Sequence, residues 1–176
     1  MSAPSFDPGS FYELDLARGT VQTRDGQRVV VLYDSAAAAL VSAAARNASR
    51  EVLDQLGGAL GAQAREMVGD VAGATPEKVL SEAAALLGTF GWGRLGMERW
   101  GDALVVSLSD RPAVGDDAVE AILAGFFGAL AAKPVGCVAV GDHRFLLVEP
   151  GIEAEVRGWA RGGAKLSAVL DRLQGA

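Results

Sequence analysis

Gly88-Thr89-Phe90-Gly91-Trp92-Gly93-Arg94-Leu95-Gly96-Met97-Glu98-Arg99-Trp100-Gly101 is the stretch whose reading decides the fold. Gly91, Gly93 and Gly96 spell a G-x-G-x-x-G, the pattern of a dinucleotide-binding turn. Such a turn leaves a strand and opens a helix, so that the pyrophosphate meets a helix N-terminus. Here the order is reversed. Val79, Leu80, Ala83, Leu86, Leu87 and Phe90 precede the glycines at helical spacing. Leu104, Val106 and Leu108 follow them in strict alternation, as a half-buried strand requires. The glycines therefore read as the exit from a helix into a β-hairpin, Arg94 to Arg99 and Ala103 to Leu108, turning at Gly101-Asp102.

Working outward, Thr75 caps the helix before the glycines and Pro76 takes its first position. Upstream, Ser49 to Val68 predicts a helix with Leu53, Leu56, Leu60, Ala64 and Met67 on one stripe. Asp34 and Ser35 cap an Ala-rich helix to about Arg46. Phe11 to Leu16 and Arg28 to Tyr33 read as strands, with Thr20 to Thr23 between them and Asp25-Gly26 as a tight turn. Downstream, Asp116 and Asp117 open a helix to about Ala132. Cys137 to Val140 and Arg144 to Glu149 form a second hairpin around Gly141-Asp142. A helix from Gly151 to Trp159, a Gly162-Gly163 break and an amphipathic Ala164 to Leu173 finish the chain. Short Asp/Gly turns between strands make the sheet antiparallel. Helices segregated from hairpins make the class α+β, in the order strands, three helices, hairpin, helix, hairpin, C-terminal helices. The expected plan is a flexible arm over 1–10, one domain over 11–160 and a C-terminal amphipathic helix over 161–176.

Composition narrows the function. Half of the 176 residues are apolar and only 6% are aromatic, which excludes a disordered chain and predicts a core of closely approaching backbones. A net charge of -6 argues against nucleic-acid binding and against constitutive adhesion to anionic lipid. One cysteine and one histidine exclude an internal disulfide, a Cys-rich zinc site and any mechanism that needs two histidines. The first ten residues lack the basic and apolar regions of a signal peptide. No stretch approaches the roughly 20 apolar residues that span a bilayer. These features lead to the expectation of a soluble cytoplasmic protein. The Ala, Gly and Arg bias fits a bacterial source.

Two groups of residues invite a role. Gly57 and Gly61 stand four apart on one helix face with Gly58 beside them. Each mid-helix glycine costs about 1 kcal/mol against alanine, so a compensating close contact is expected. That contact is either helix packing within the chain or a homodimer seam through Leu53, Gly57, Leu60 and Gly61. Phe90, Trp92, Trp100, Phe126 and Phe127 either fill an ordinary core or line an apolar pocket. In the second case Arg94 and Arg99 would meet an anionic ligand head. Trp92 stands out, because the glycines on both sides can fix an unusual backbone. His143, in a Gly-Asp-His-Arg turn, reads as solvated, and Cys137 as an inert buried thiol. Glu149 ends an apolar strand with no placed partner, which is poor evidence for acid–base chemistry. With no Walker loop and no G-x-S-x-G, no catalytic residue, metal ligand or cofactor is assigned.

Four short motifs fall in a fixed order between Phe11 and Glu149. They are Leu56-Gly57-Gly58-Ala59-Leu60-Gly61 in a long helix, Gly91-Trp92-Gly93 entering a hairpin, Gly125-Phe126-Phe127-Gly128 in the next helix, and Leu147-Val148-Glu149 ending the last strand. In this the chain resembles the 4-vinyl reductase-like domain and the small subunits of the TRAPP vesicle-tethering complex. The resemblance implies a dimerising α+β unit that serves as a scaffold, as a ligand-binding sensor domain or in tetrapyrrole metabolism. It carries no metal ligand over. The family's metal-holding cysteines follow the last strand's Glu, where this chain has Pro150-Gly151-Ile152-Glu153, and they recur near the C-terminus, whereas Cys137 precedes that strand. It carries no acylated cysteine over either, since none lies near the start of the core. The function expected first is a non-enzymatic homodimeric scaffold with a protein partner. The alternatives are a sensor for a hydrophobic or anionic small molecule, and an accessory enzyme of tetrapyrrole or lipid metabolism.

Overall fold

The computed structural model describes residues 11–47, 50–101 and 103–174. The expected arm over 1–10, the helix-start Ser49, the turn residue Asp102 and the last two residues lie outside them. Strands β1 (Tyr12–Asp15), β2 (Thr20–Thr23) and β3 (Arg28–Val29) form a small antiparallel sheet in that order. Helices α1 (Asp34–Arg46), α2 (Arg50–Val68) and α3 (Pro76–Thr89) follow. The main sheet contains β4 (Arg94–Trp100), β5 (Ala103–Ser109), β6 (Gly136–Gly141) and β7 (Arg144–Val148), with α4 (Asp116–Ala131) between its two hairpins. Its order is β4-β5-β7-β6, antiparallel throughout. Helices α5 (Glu153–Arg161) and α6 (Leu166–Gln174) close the chain. The class is α+β, with the element order expected from the sequence.

The main sheet is covered on both faces, and strand alternation divides the core in two. Val106 and Leu108 of β5 join one buried cluster with Leu86, Leu87, Ile122 and Phe126 from the α1–α4 side. Val105 joins a second with Leu146, Val138, Val156, Val169 and Leu170, formed with α5 and α6. Register carries the alternation across the sheet, since Val106 pairs with Phe145 and Val105 with Leu146. Each large side chain buried in this way contributes roughly 1.5–3 kcal/mol of transfer free energy. Helix α6 thus caps its own sheet. Helix α4 is buried along almost its whole length because α2 covers one side and β6 the other, which explains why it carries so few polar residues.

Helix α2 is rotated relative to the leucine stripe read from its sequence. Leu53, Gly57, Gly61, Ala64 and Val68 face inward, while Leu56 is exposed and Leu60 and Met67 are half-buried. The cause is backbone approach. A Cβ at Gly57 would overlap the Ile122 carbonyl oxygen, and one at Gly61 that of Phe126. Gly125 meets the Asp54 carbonyl in the same way from α4. The contact expected of these glycines is therefore made within the chain, and the face proposed as a dimer seam is filled by α4.

Two further differences concern strand ends. Only Arg28 and Val29 of the run to Tyr33 pair with β2, and Val30 to Tyr33 lie exposed beyond this edge. Strand β7 ends at Val148 and leaves Glu149 exposed. The β6–β7 turn holds Asp142 and His143 at φ 50° and 57°, as a two-residue type I′ turn demands.

Candidate functional site

Trp92 sits in a backbone that its neighbours impose. Gly91 and Gly93 have φ of +73° and +104°, a region that side-chain-bearing residues rarely enter. The Trp92 N–H donates to the Leu87 carbonyl at 2.9 Å, which folds the turn back onto the end of α3. Gly93 lies so close to the next loop that a Cβ there would meet the Ser109 carbonyl and come within 3.0 Å of the Arg111 nitrogen. The result is a recess between Trp92, Leu87 of α3, Leu108 of β5, and Val119, Ile122 and Leu123 of α4. All six side chains are apolar. The space inside it that a water-sized sphere can occupy is about 10 Å³, enough for at most one water molecule.

Arg111 stands in the loop that leads from β5 to α4. Its Nη2 donates to Asp116 Oδ1 at 2.5 Å, and its guanidinium carbon lies 5.7 Å from the centroid of the Phe145 ring, within cation–π range. Its Nη1 is buried and has no hydrogen-bond partner among the described residues. A buried donor left unpaired costs roughly 1–3 kcal/mol, so this atom marks a point where a partner would stabilise the protein.

A second polar group lies inside the molecule. Glu120 of α4 is 2% exposed. Its Oε1 accepts the Ala139 N–H at 2.8 Å, and its Oε2 accepts Nε and Nη2 of Arg157 at 3.1 and 2.7 Å. Arg50 Nη1 stands 4.0 Å away. Every link joins a different element to α4, so the group reads as a structural clamp. Cys137, fully buried beside it, has its thiol pKa pushed up by burial and then by the Glu120 charge, and Arg50 and Arg157 oppose this only in part. It is a poor nucleophile.

The aromatic residues singled out in the sequence do not form one pocket. Trp92 lines the recess. Phe90 turns away and packs edge-on against Phe11 and Tyr12, with centroids at 5.8 and 6.1 Å. Phe126 and Phe127 form a T-shaped pair at 5.2 Å within the core, and neither lines the recess. Trp100 is 41% exposed at the far end of β4, where its Nε1 donates to Glu98 Oε2. That bond, and a second from Arg144, hold the Glu98 carboxyl below its usual range. Arg94 and Arg99 are exposed, bonding to Ser109 Oγ and the Gly101 carbonyl. The backbone of Arg111 lies against the Trp92 turn at Gly93, and sequence reasoning did not single this arginine out. The one available signal was its place between an alternating strand and a pair of helix-starting aspartates.

No family model matches the chain, and no curated protein matches it. Among solved structures, the phenol-responsive sensory domain of the transcription activator PoxR, crystallised with phenol, aligns at a TM-score of 0.62. The alignment covers 89% of this chain and 97% of that one, at 16% sequence identity. The two chains share a fold. Among the described residues no helix is long and apolar enough to cross a membrane, and no group of His, Cys, Asp or Glu is placed to hold a metal ion.

Proposed function

We propose that this chain is a small-molecule sensor domain that takes a single-ring apolar ligand into the recess beside Trp92. The observation that carries the reading is a wholly apolar recess whose Trp92 is fixed by two positive-φ glycines. Trp92 packs against the main core, and a rigid turn that holds a large aromatic over a gap between α3, β5 and α4 also suits ligand recognition. The fold shared with a phenol-responsive sensory domain supports the same reading. So does the sequence resemblance to the 4-vinyl reductase-like domain, some of whose members are sensors. Entry of a ring requires the recess to widen, so binding would be coupled to movement of α3 against α4.

The test is a thermal-unfolding titration with phenol and toluene, read also by Trp92 fluorescence against a Trp92→Phe control. A ligand that binds the native state raises Tm in proportion to RT ln(1 + [L]/Kd). A concentration-dependent rise with quenching lost in Trp92→Phe is expected. No shift up to saturation with either compound would overturn the reading.

A second reading, that the chain works as a homodimer, draws on a different surface. Val30, Val31 and Tyr33 are 75%, 72% and 88% exposed beside the open edge of β3, with Leu14, Leu16, Leu40 and Val52 also exposed. Apolar exposure on this scale, concentrated in the first third of the chain, favours a second copy as its cover. This replaces the Gly57 and Gly61 seam, and scaffold and sensor are compatible on it.

A further inference from the structure

The outer edge of β3 carries a run built like an inner strand. Arg28 and Val29 pair with Gln22 and Val21 of β2, and among the described residues no strand pairs with the other edge of β3. The Thr23 N–H donates to the Gln27 carbonyl. Alternation along the strand therefore turns the backbone groups of Val29 toward β2 and those of Arg28, Val30 and Leu32 toward the open edge. Between Val29 and α1 the chain enters no positive φ, and Tyr33 is extended at φ -63° and ψ 147°. Val30, Val31, Leu32 and Tyr33 are all exposed. Successive strand residues point to opposite faces, so the run is apolar on both, which is the pattern of a strand inside a sheet. Arg28 and Asp34 bracket it, and both are exposed with no side-chain partner among the described residues.

We infer that a second copy of this chain supplies the missing neighbour, strand against antiparallel strand, in a register centred on Val31. The inference rests on the homodimer reading and names its contact. A two-fold axis normal to the sheet sets one residue opposite itself. With Val31 at the axis, Val30 faces Leu32 and Val29 faces Tyr33, every pair apolar, while Arg28 faces Asp34 at both ends. Centring on Val30 would set Arg28 against Leu32, and centring on Leu32 would set Val30 against Asp34. Apolar pairs and opposite charges directly across two strands are stabilising, so charge and hydropathy choose the same register. Val30 and Leu32, whose backbone groups face outward, then exchange hydrogen bonds on either side of the axis. The two three-stranded sheets become one continuous sheet. Leu14, Val21 and Val29 already form a row across β1, β2 and β3, and Tyr33 of the second copy extends it.

Cysteine cross-linking reads the register, and sedimentation velocity reads the dimer. Val31→Cys, Val30→Cys and Leu32→Cys are made separately in the full chain, where Cys137 is buried and wild type is the control. Opposed residues of a non-hydrogen-bonded pair have Cα atoms about 4.5 Å apart, within disulfide reach. Under mild oxidation Val31→Cys alone is expected to give a covalent dimer, whereas Val30→Cys and Leu32→Cys are expected to do so only when mixed. Arg28→Glu or Asp34→Arg is expected to raise the dimer dissociation constant about tenfold, since two-fold symmetry counts each like-charge contact twice. The double reversal is expected to restore it. Asp34 also lies in the first turn of α1, and a purely helical role would leave the double variant as weak as Asp34→Arg. A wild-type chain that stays monomeric overturns both the homodimer reading and the register. A dimer that neither cross-links at Val31 nor recovers in the double reversal keeps the homodimer reading and overturns this contact.

Discussion

Glu120 and Arg157 form a buried ion pair in which one carboxylate oxygen accepts two guanidinium N–H bonds, at 3.1 and 2.7 Å, from a helix 37 residues further on. The pair ties α4 to α5 across the edge of the main sheet. Removing Arg157 leaves the buried Glu120 carboxylate with only the Ala139 N–H and the more distant Arg50, and breaking a buried pair in this way typically costs about 3–5 kcal/mol. Arg157→Ala is therefore expected to lose at least about 3 kcal/mol in urea unfolding, near the low end because Arg157 keeps some solvent contact. The double replacement Glu120→Leu with Arg157→Leu is expected to recover much of that loss. A cycle with no coupling between the two positions would refute the clamp.

Gly57 and Gly58 are neighbours with opposite expectations. Alanine at Gly57 drives a methyl into the Ile122 carbonyl, and overpacking of this kind costs about 1–3 kcal/mol. At Gly58 an added Cβ finds only the Gly125 carbonyl at 4.0 Å. Gly58→Ala should then gain about 0.5–1 kcal/mol from helix propensity. Chemical denaturation of the two variants decides the matter, and equal effects would mean that α2 does not meet α4 as described.

The buried Cys137 thiol makes alkaline pH destabilising. Its folded pKa is raised by burial and by Glu120, so the folded state keeps its proton where the unfolded chain, with a pKa of about 8.5, has lost it. The unfolded state binds fewer protons, so stability falls as pH rises above about 8.5, by up to about 1.4 kcal/mol per unit. Below that pH the group contributes no slope. Cys137→Ala is expected to remove this part of the alkaline decline. The native thiol should also react with a disulfide reagent only at the rate of unfolding.

Leu123→Ala enlarges the recess from the α4 side. Truncation of a buried leucine costs about 2–5 kcal/mol, so Tm should fall. The space created should then accept toluene, and the toluene-induced rise in Tm should exceed that of wild type. A smaller rise would place the binding of apolar molecules elsewhere.

Val31→Lys tests the second copy. A charge in the centre of the exposed Val30 to Tyr33 run should shift sedimentation from dimer to monomer while leaving far-ultraviolet circular dichroism unchanged. A wild-type chain that sediments as a monomer at all concentrations would dismiss the dimer outright.

Periodicity made most of this fold legible. The alternation of Leu104, Val106 and Leu108 and the glycines on either side of Trp92 located the hairpin, because both signals are local. The orientation of α2 was not local. Leu56 looks like a core residue, but the carbonyls of Ile122 and Phe126 admit only a glycine face, and those carbonyls belong to a distant helix. The Glu120–Arg157 pair was hidden for the same reason, since nothing near Glu120 in sequence marks its partner. For the candidate site, Trp92 was legible from its backbone demands. Arg111 became visible only once Phe145 and Asp116 had closed around it. Phe90 and Trp100 carried the right chemistry in the wrong direction.

Because α5 and α6 cover the β5, β6 and β7 part of one face of the main sheet, the place where a shortened version of this protein is cut will decide its fate. A chain stopped at Glu149 keeps all four strands and both hairpins, yet presents Val105, Val138 and Leu146 to water as a bare sticky plate. Such a fragment should precipitate or pile sheet on sheet. One that retains Leu170 should stay dispersed.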